Sequence, residues 1–473
     1  MKIPFVGPSY ELNSVNVDCQ RTINLMPTTV EVGNGKTATY FEPTPGLVSA
    51  ATLPATPSRG LYRASTGDLY AVYGSNLYLV TSVHTYTLLG AMAVSNQQVS
   101  MADNGLVLMV ACGSAAYTYT FATSTFAQLT DSDFTGADFV QFVDGYFIWN
   151  IPDSGRFAIS GLYSTTVDSL DFATSEASPD KITNIVVNNR VVWVFNEQTT
   201  ELYYNSGDSN FPFSRVQGGT LETGTLAPNS VAYFASTIMW LSNSVNSSPQ
   251  VMMSQGYTAT VVSTSALAMA INEYAVTTDA VGYGYVEDGR ACYMLSFPTE
   301  NKTWCYDITN KSWHERVYLE SNGSFSRHRS VTHAYAYNRQ YVGDHTTGAL
   351  YYFNKDTYTD NGNLIVRERT FPHIASEQKG VTVDSLQLEA EVGVGLTSGQ
   401  GSDPQVMLQW SYDGGHSWSN EYWRSAGAIG NYKARMIWRR LGLARDRVFR
   451  IRMTDPVKCV WIDCFGELSK ADS

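Results

Sequence analysis

A hairpin pattern recurs along the middle of this chain, and its clearest copy reads Leu69-Tyr70-Ala71-Val72-Tyr73-Gly74-Ser75-Asn76-Leu77-Tyr78-Leu79-Val80. Two short apolar strands flank a Gly-Ser-Asn turn, which is the composition of a tight β-hairpin. Similar units occupy residues 106–121, 139–149, 182–205, 230–241, 282–297, 304–313 and 333–353. Their spacing of roughly 35 to 50 residues is typical of propeller blades, each a four-stranded sheet. We therefore predict an all-β fold containing a β-propeller of about five to seven blades.

The regions on either side of the hairpins have a different pattern. Residues 1–57 contain seven prolines, which interrupt any long helix or central strand, so we expect an extended N-terminal arm. Residues 370–473 alternate over longer strands, which predicts a separate C-terminal antiparallel β-sandwich. The predicted domains are the arm over residues 1–57, the propeller over residues 58–369 and the sandwich over residues 370–473. A single helix, near residues 265–274, is expected between two blades.

Charge is distributed unevenly along the 473 residues, whose formal net charge is −12. Residues 1–250 hold 9 Lys and Arg against 19 Asp and Glu, whereas residues 424–458 hold 10 Lys and Arg against 2 Asp and Glu. The acidic first half argues against ordinary nucleic-acid binding, which requires neutralisation of phosphates. Aromatic residues reach 13% and charged residues only 16%, which favours a β-rich protein with shared surfaces over a helical enzyme.

The six cysteines are too sparse for a disulfide framework and include no CxxC pair. Cys292 and Cys305 are candidates to face each other on neighbouring strands, and we expect both to be thiols. Neither a signal-like apolar region after Met1 nor a run of 18 apolar residues occurs. We therefore expect assembly in the cytoplasm and no membrane anchor.

One local motif, the Asp-box pattern Ser-x-Asp-x-Gly-x-Ser-Trp, is present at Ser411, Asp413, Gly415 and Trp418. Asp and Gly shape a hairpin turn, Ser and Asp side chains satisfy its backbone donors, and Trp covers the apolar side. The pattern occurs in sialidases away from the catalytic centre. A sialidase would also carry several copies, an arginine cluster and a Tyr/Glu pair, so a structural turn is the favoured interpretation.

No motif predicts a catalytic, metal or cofactor site. Nucleophile elbows, P-loops and Rossmann glycines are missing, and His328, His333 and His345 fit no zinc signature. We expect these histidines to be scattered turn or surface side chains. Two close carboxylate pairs, Asp131 with Asp133 and Asp168 with Asp171, lie in turn-rich sequence, where solvated loops explain them more simply than glycoside hydrolysis.

An arginine run is the strongest candidate for an interaction site. Seven arginines fall within 18 residues, namely Arg435, Arg439, Arg440, Arg445, Arg447, Arg450 and Arg452. By strand alternation Arg450 and Arg452 share one face. Three interpretations remain open: contact with DNA phosphates, a subunit or adaptor interface with an acidic neighbour, and a solvated strand face with cross-strand pairs. The acidic first half of the chain would be a suitable neighbour in a ring of identical subunits.

The same region carries a family resemblance. The stretches Trp410-Ser411-Tyr412-Asp413-Gly414-Gly415-His416-Ser417-Trp418 and 430–458 closely resemble the tail hub or nozzle proteins of short-tailed bacteriophages, often called packaged-DNA stabilisation proteins. The N-terminal segments 19–27, 35–36 and 43–47 are similar to the opening of that family, and residues 343–351 are similar to the segment that ends its propeller.

The resemblance implies a structural, non-enzymatic role. It implies a propeller and a sandwich in a homohexameric ring, which extends the portal channel, retains packaged double-stranded DNA and conducts it during genome ejection. The implied partners are a portal adaptor or head-completion protein, a tail needle or plug, tailspikes or fibres, and DNA passing without sequence-specific binding. The family brings no catalytic residues and no cofactor, and it implies a location in the virion tail.

Two other functions are compatible with a propeller. A glycan- or receptor-binding tail protein would present exposed Trp and Tyr pairs at the mouths of the blades. A glycosidase of sialidase type would need the arginine and carboxylate constellation that the sequence lacks.

Overall fold

The computed structural model describes residues 1–30, 36–176, 178–244, 247–377 and 379–470. Within these residues the chain forms 45 strands and one α-helix, which confirms the predicted all-β fold. Its first six strands belong to three different sheets. They are β1 (Lys2–Ile3), β2 (Tyr10–Glu11), β3 (Cys19–Ile23), β4 (Leu25–Thr29), β5 (Thr39–Pro43) and β6 (Gly46–Thr52).

Four sheets of four antiparallel strands follow in chain order. Blade 1 consists of β7 (Ser58–Arg63), β8 (Leu69–Tyr73), β9 (Asn76–Val80) and β10 (Tyr86–Ala91). Blade 2 consists of β11 (Ser100–Asp103), β12 (Val107–Ala111), β13 (Ala116–Thr120) and β14 (Thr125–Gln128). Blade 3 consists of β15 (Val140–Val143), β16 (Tyr146–Asn150), β17 (Arg156–Ser160) and β18 (Val167–Thr174). Blade 4 consists of β19 (Ile182–Asn188), β20 (Val191–Asn196), β21 (Thr200–Asn205) and β22 (Phe213–Leu221).

Two further blades lie on either side of the helix. A 3-10 turn (Pro228–Ser230) leads into blade 5, with β23 (Ala232–Phe234), β24 (Thr237–Leu241), β25 (Val251–Gln255) and β26 (Thr258–Val261). The helix α1 (Ser265–Asn272) follows, as expected between blades, and the Thr264 side chain caps it by accepting the N–H of Leu267. Blade 6 consists of β27 (Val281–Glu287), β28 (Arg290–Phe297), β29 (Lys302–Asp307) and β30 (Ser312–Glu315).

The seventh blade combines the two ends of the propeller sequence. After the hairpin of β31 (Val317–Leu319) and β32 (Phe325–Arg327) come β33 (Ser330–Ala336), β34 (Arg339–Asp344) and β35 (Ala349–Asn354). The fourth and outer strand of this blade is β6, which pairs antiparallel with β35, so that Val48 lies opposite Tyr352. The described residues therefore form seven blades, the upper end of the predicted range, and the seventh closes the ring by joining distant segments.

Apolar side chains between neighbouring blades hold the ring together. Each pair of consecutive blades encloses one cluster of buried residues, and the cluster between blades 7 and 1 closes the circle. Trp193 of blade 4 and Trp240 of blade 5, for example, pack with ring centroids 6.4 Å apart. Alternation along each strand directs successive side chains to the two neighbouring blades, which explains why the strands read as apolar on both faces.

The C-terminal region forms a two-layered sandwich. Its strands are β36 (Thr359–Asp360), β37 (Asn363–Leu364), β38 (Arg367–Thr370), β39 (Ile374–Ala375), β40 (Val381–Ala390), β41 (Gln405–Ser411), β42 (Tyr422–Ser425), β43 (Met436–Ala444), β44 (Asp446–Met453) and β45 (Trp461–Lys470). The short hairpin β36–β37 attaches to β6. One layer has the order β4-β5-β45-β40-β43, and the other has the order β3-β38-β44-β41-β42. Phe41, Trp438, Phe449 and Trp461 are buried between them.

The N-terminal strands link the propeller to the sandwich. β3 lies between β30 of blade 6 and β38, so one continuous sheet runs from β27 to β42. At this junction Nη2 of Arg21 lies 2.7 Å from a carboxylate oxygen of Glu315. Buried Asn24 donates hydrogen bonds to the backbone oxygens of Val317 and Val366, both at 2.9 Å. The first 43 residues therefore supply strands to both layers of the sandwich.

Candidate assembly surface

The Asp-box residues form the turn between β41 and β42. The hydroxyl of Ser411 donates to Asp413 at 2.6 Å and accepts the N–H of Gly415 at 2.8 Å. Asp413 accepts the N–H of Ser417 at 2.9 Å. The hydrogen bond from Ser411, followed by those from Ser417, lowers the pKa of Asp413. Gly415 has a φ of 106°, which favours glycine. The polar side chains of this motif bond one another within the turn.

Trp418 connects this turn to the arginine run. The guanidinium carbon of Arg450 lies 3.9 Å from the centroid of the Trp418 ring, a cation–π geometry. Arg450 also donates to the side-chain oxygen of Gln409 at 2.7 Å. Two residues along β44, Arg452 donates to Glu368 at 2.6 Å. Arg450 and Arg452 are two residues apart on β44, so strand alternation places both side chains on one face of the sheet, each beside its partner on a neighbouring strand.

Arg447, the third arginine of β44, points into the molecule. Its residue is only 1% exposed, and its guanidinium carbon lies 5.1 Å from the Tyr412 ring and 5.6 Å from the Phe449 ring. Arg447, Arg450 and Arg452 therefore have partners inside the chain. Arg450 and Arg452 bond neighbouring strands, whereas the guanidinium of Arg447 packs against aromatic rings and makes no hydrogen bond with a described residue.

The other four arginines of the run are exposed. They are Arg435, Arg439, Arg440 and Arg445. Arg435 donates to the side chain of Gln387 at 2.7 Å. The side chains of the remaining three make no hydrogen bond or ion pair with any described residue. All four lie on β43 or directly beside its ends, and β43 is the last strand of its layer.

Exposed aromatic and apolar residues accompany these arginines. Tyr422 and Trp423 of β42, the last strand of the other layer, are 46% and 51% exposed, and Leu443 of β43 is 57% exposed. The two layers end side by side here, since Trp438 of β43 donates its ring N–H to the backbone oxygen of Tyr422. We call this surface the arginine edge, defined by Arg435, Arg439, Arg440, Arg445, Tyr422, Trp423 and Leu443.

Sequence reasoning missed the aromatic part of this edge. The signal was present, because residues 422–445 contain six Lys and Arg and no Asp or Glu, with Tyr422 and Trp423 at their start. Exposed Arg, Tyr and Trp together are the side chains enriched at the centres of protein–protein interfaces. The edge therefore has the chemistry of a protein-binding surface.

A second surface has the opposite charge and lies on the outer side of blade 3. Its edge strand β18 carries Asp168 and Asp171 beside Leu170, which is 80% exposed. Asp131 accepts the backbone N–H of Val167 at 3.3 Å. We call this surface the acidic rim, defined by Asp131, Asp133, Asp168, Asp171 and Leu170. Burial and the charge of Asp168 raise the pKa of Asp171, which is the effect of two carboxylates close together.

Two of the three histidines differ from the expectation of turn or surface positions: His328 is buried and His333 lies on β33, whereas His345 lies in the turn between β34 and β35. His328 is 1% exposed, and its ring nitrogens contact Arg316 at 3.1 Å and Ser330 at 2.6 Å. The expectation was wrong because His328 fills a space between blade 6 and blade 7 rather than a turn. Among the described residues, no group of three or more His, Cys, Asp or Glu side chains is arranged to hold a metal ion.

Two family models match the chain. The family described as "Bacteriophage P22 Gp10, beta-propeller" matches residues 1–358, and "Bacteriophage P22 Gp10, beta-sandwich" matches residues 367–468. The chain belongs to the bacteriophage P22 Gp10 family. This confirms the resemblance to packaged-DNA stabilisation proteins of phage tails. Both the propeller and the sandwich predicted from the sequence are the named parts of this family. Members of the Gp10 family are structural tail proteins, so the chain is a component of a phage tail.

Three solved structures are distantly similar to the chain. The N-terminal domain of Nup159 has 10% identity and a TM-score of 0.41, covering 71% of this chain and 98% of its own. A chain of the mitotic checkpoint complex has 10% identity and a TM-score of 0.42, covering 69% and 98%. The designed Ika8 protein has 9% identity and a TM-score of 0.35, covering 65% and 99%. No function is inferred from such similarity. No curated protein sequence matches the chain.

The Gp10 match also covers the surfaces described above. The acidic rim falls within the propeller match, and the arginine edge falls within the sandwich match. In the described part of the chain, no helix is long and apolar enough to cross a membrane.

Proposed function

We propose that this tail protein is a non-enzymatic subunit of a nozzle ring, which extends the portal channel, retains packaged double-stranded DNA and conducts it during ejection. Membership of the Gp10 family, with both of its named parts present, is the observation that carries the proposal. Six copies per ring, contacts with a portal adaptor, a needle or plug and tailspikes or fibres, and assembly in the host cytoplasm are parts of the same proposal. The predicted limits at residues 57 and 369 do not coincide with the strands, because β6 (Gly46–Thr52) belongs to blade 7 and β38 (Arg367–Thr370) crosses residue 369.

The charge of the propeller supports a channel role. Residues 100–222, which span blades 2 to 4, hold 14 Asp and Glu against 4 Lys and Arg. At one end of the propeller a depression of about 320 Å³ is lined by Asp138, Asp153 and Glu197, with Lys181 as the basic residue among them. A carboxylate-rich surface repels phosphate, although salt screens that repulsion beyond about 8 Å. Such a surface would let DNA pass without adhering.

The experiment that tests the proposal is DNA retention in particles assembled without this chain. We expect heads that fill and then lose their DNA, with retention restored when the purified chain is added. Heads that keep their DNA but fail to infect would overturn the nozzle role. They would place the chain at the periphery, as a glycan- or receptor-binding tail protein.

A channel variant gives a second readout. Replacing Asp153 and Glu197 with Lys should slow ejection, since the new positive charges attract phosphate. The matched control is the pair Asp153→Asn and Glu197→Gln, which removes the same carboxylates without adding positive charge. Equal ejection rates for the Lys variant and the control would contradict electrostatic passage.

A further inference from the structure

We propose that the arginine edge of one copy of this chain docks on the acidic rim of a second copy. This inference rests on the proposed ring and identifies the two surfaces that would build it. The first observation is that four arginines of the edge make no ion pair with any described residue. A cluster of unpaired guanidinium groups beside exposed aromatic rings fits an acidic protein surface, because planar guanidinium groups bond carboxylates in pairs.

The acidic rim matches the edge in both charge and apolar content. The four carboxylates of the rim correspond in number to the four arginines of the edge. Arg156 lines the same depression as Asp133 and Asp168, and its guanidinium lies 4.7 Å from the ring of Phe172. Leu170, 80% exposed, offers an apolar contact for Trp423 or Leu443 of the edge. Charge complementarity around an apolar centre is the usual arrangement of a specific protein interface.

Both surfaces lie at unpaired ends of sheets. β18 is the last strand of blade 3, and β42 and β43 are the last strands of the two sandwich layers. Neither edge is covered by another described strand. Exposed sheet edges in stable proteins are commonly covered by a partner or protected by charge, and these edges carry charges of opposite sign.

The two surfaces cannot meet within one chain. The sandwich extends from the outer strand of blade 6, and β42 is five strands beyond it, a distance of about 24 Å at the usual strand spacing. In the seven-bladed ring, blade 3 lies three blades from blade 6 in one direction and four in the other. The rim and the edge therefore lie on opposite sides of the molecule.

Opposite placement determines the kind of assembly. When two different patches on opposite sides of one subunit bind each other, each copy is joined to the next head to tail, and the assembly closes into a ring if the rotation allows. A two-fold dimer would instead require one patch to bind itself, and the arginine edge would then face a like charge. In a head-to-tail assembly the arginine edge of each copy binds the acidic rim of the next, so both surfaces are covered by copies of the same chain.

Charge reversal on full-length chains tests the contact. Heads made without the chain receive purified variants, and bound copies per head are counted. We expect Arg439→Glu with Arg440→Glu to lower the apparent affinity by roughly 100-fold, since like charges across an interface cost several kcal/mol. The double variant Asp133→Lys and Asp168→Lys should lower the apparent affinity by a similar factor. A chain that carries all four substitutions should recover binding. The control pair Arg63→Glu and Lys311→Glu makes the same charge change on blades 1 and 6.

Cross-linking provides an independent measurement. A chain with Leu170→Cys and Leu443→Cys should form a ladder of disulfide-linked copies on heads under mild oxidation, and each single variant should form none. The native cysteines other than partly exposed Cys112 are buried, so they contribute little background.

The outcomes separate this inference from the proposed function. The contact between edge and rim is overturned if the double arginine variant binds as well as the native chain. It is also overturned if the chain with all four substitutions does not recover binding. If DNA retention still depends on the chain in that case, the nozzle function stands and the ring uses other surfaces. Heads that keep their DNA without the chain overturn the nozzle function, whatever the cross-links show.

Discussion

Arg21 of β3 donates two hydrogen bonds to the carboxylate of Glu315 in blade 6, at 2.8 and 2.7 Å. The Glu315 side chain is only 7% exposed. Burial alone would raise the pKa of Glu315, but the charge and hydrogen bonds of Arg21 outweigh burial and lower that pKa. A charged pair whose carboxylate is almost closed to water therefore joins the N-terminal region to the propeller at the junction with the sandwich.

Replacing Arg21 should destabilise this junction strongly. In Arg21→Gln the buried carboxylate of Glu315 loses its partner, and such a loss costs about 3–5 kcal/mol. Chemical denaturation of the full chain measures the free energy of unfolding. The matched control is Lys355→Gln, because the Lys355–Asp288 pair is 62% and 64% exposed and an ion pair so open to solvent contributes little to stability. Equal losses in the two variants would contradict a special role for the buried pair.

Trp418 should matter through Arg450 rather than through a ligand. Trp418→Ala removes the cation–π contact at 3.9 Å, which is worth about 0.5–2 kcal/mol, in addition to apolar packing. We expect a lower free energy of unfolding with unchanged binding to heads, since neither residue belongs to the arginine edge. Tyr432→Ala serves as the control because Tyr432 is 73% exposed. Loss of head binding in Trp418→Ala at normal stability would argue for a binding role of the Asp-box turn.

Sequence reasoning captured the local structure and missed the distant pairings. The turn at Gly74 and Ser75 and the alternation of Arg450 with Arg452 are encoded within a few residues, so both were predictable. The partners of β6 and β3 are not encoded nearby. Tyr352 pairs with Val48 about 300 residues away, and no local pattern specifies such a register.

The arginine run demonstrates the same limit at the level of the site. All seven arginines look alike in the sequence, and only the fold separates those that bond Gln409 and Glu368 from those that face solvent. The pair Asp131 and Asp133 is separated in sequence from the pair Asp168 and Asp171. The two pairs come together because β18 packs beside the connection between blades 2 and 3.

Acidification should destabilise the propeller before the carboxylates of the surface titrate. Burial lowers the pKa of His333 and of His345 to about 4 and that of His328 well below its usual value. Below pH 6.5 the histidines of the unfolded chain become protonated, whereas those of the folded chain stay neutral. The free energy of unfolding therefore decreases as the pH is lowered. Each histidine lowers the free energy of unfolding by about 1.4 kcal/mol for every unit of pH decrease between about 6.5 and its folded pKa.

Asp360, a carboxylate that is almost fully buried, acts in the opposite direction. Burial raises the pKa of Asp360 to about 6, so the folded chain takes up this proton first and gains stability relative to the unfolded chain as the pH falls through 6. The lowered pKa values of His314, His328, His333 and His345 outweigh the raised pKa of Asp360, and we expect the free energy of unfolding in urea to fall from pH 6.5 to 5. The slope of the free energy of unfolding against pH reports the number of protons taken up on unfolding. The variant His333→Gln should reduce that number by about one. A flat profile would mean that the histidines titrate normally.

Leu47 tests whether β6 completes the seventh blade. Its side chain is 1% exposed and lies opposite Phe353 of β35, although it is encoded before the first blade begins. Leu47→Ala should cost about 2–5 kcal/mol, as for other buried leucines, and should match Leu350→Ala in β35 of the same blade. Leu88→Ala is the control, since Leu88 is 56% exposed on the outer strand of blade 1, and a change there should stay within about 0.5 kcal/mol. If Leu47→Ala behaved like the Leu88 control, β6 would not be holding the ring closed, and blades 1 to 6 would have to carry the stability of the propeller alone.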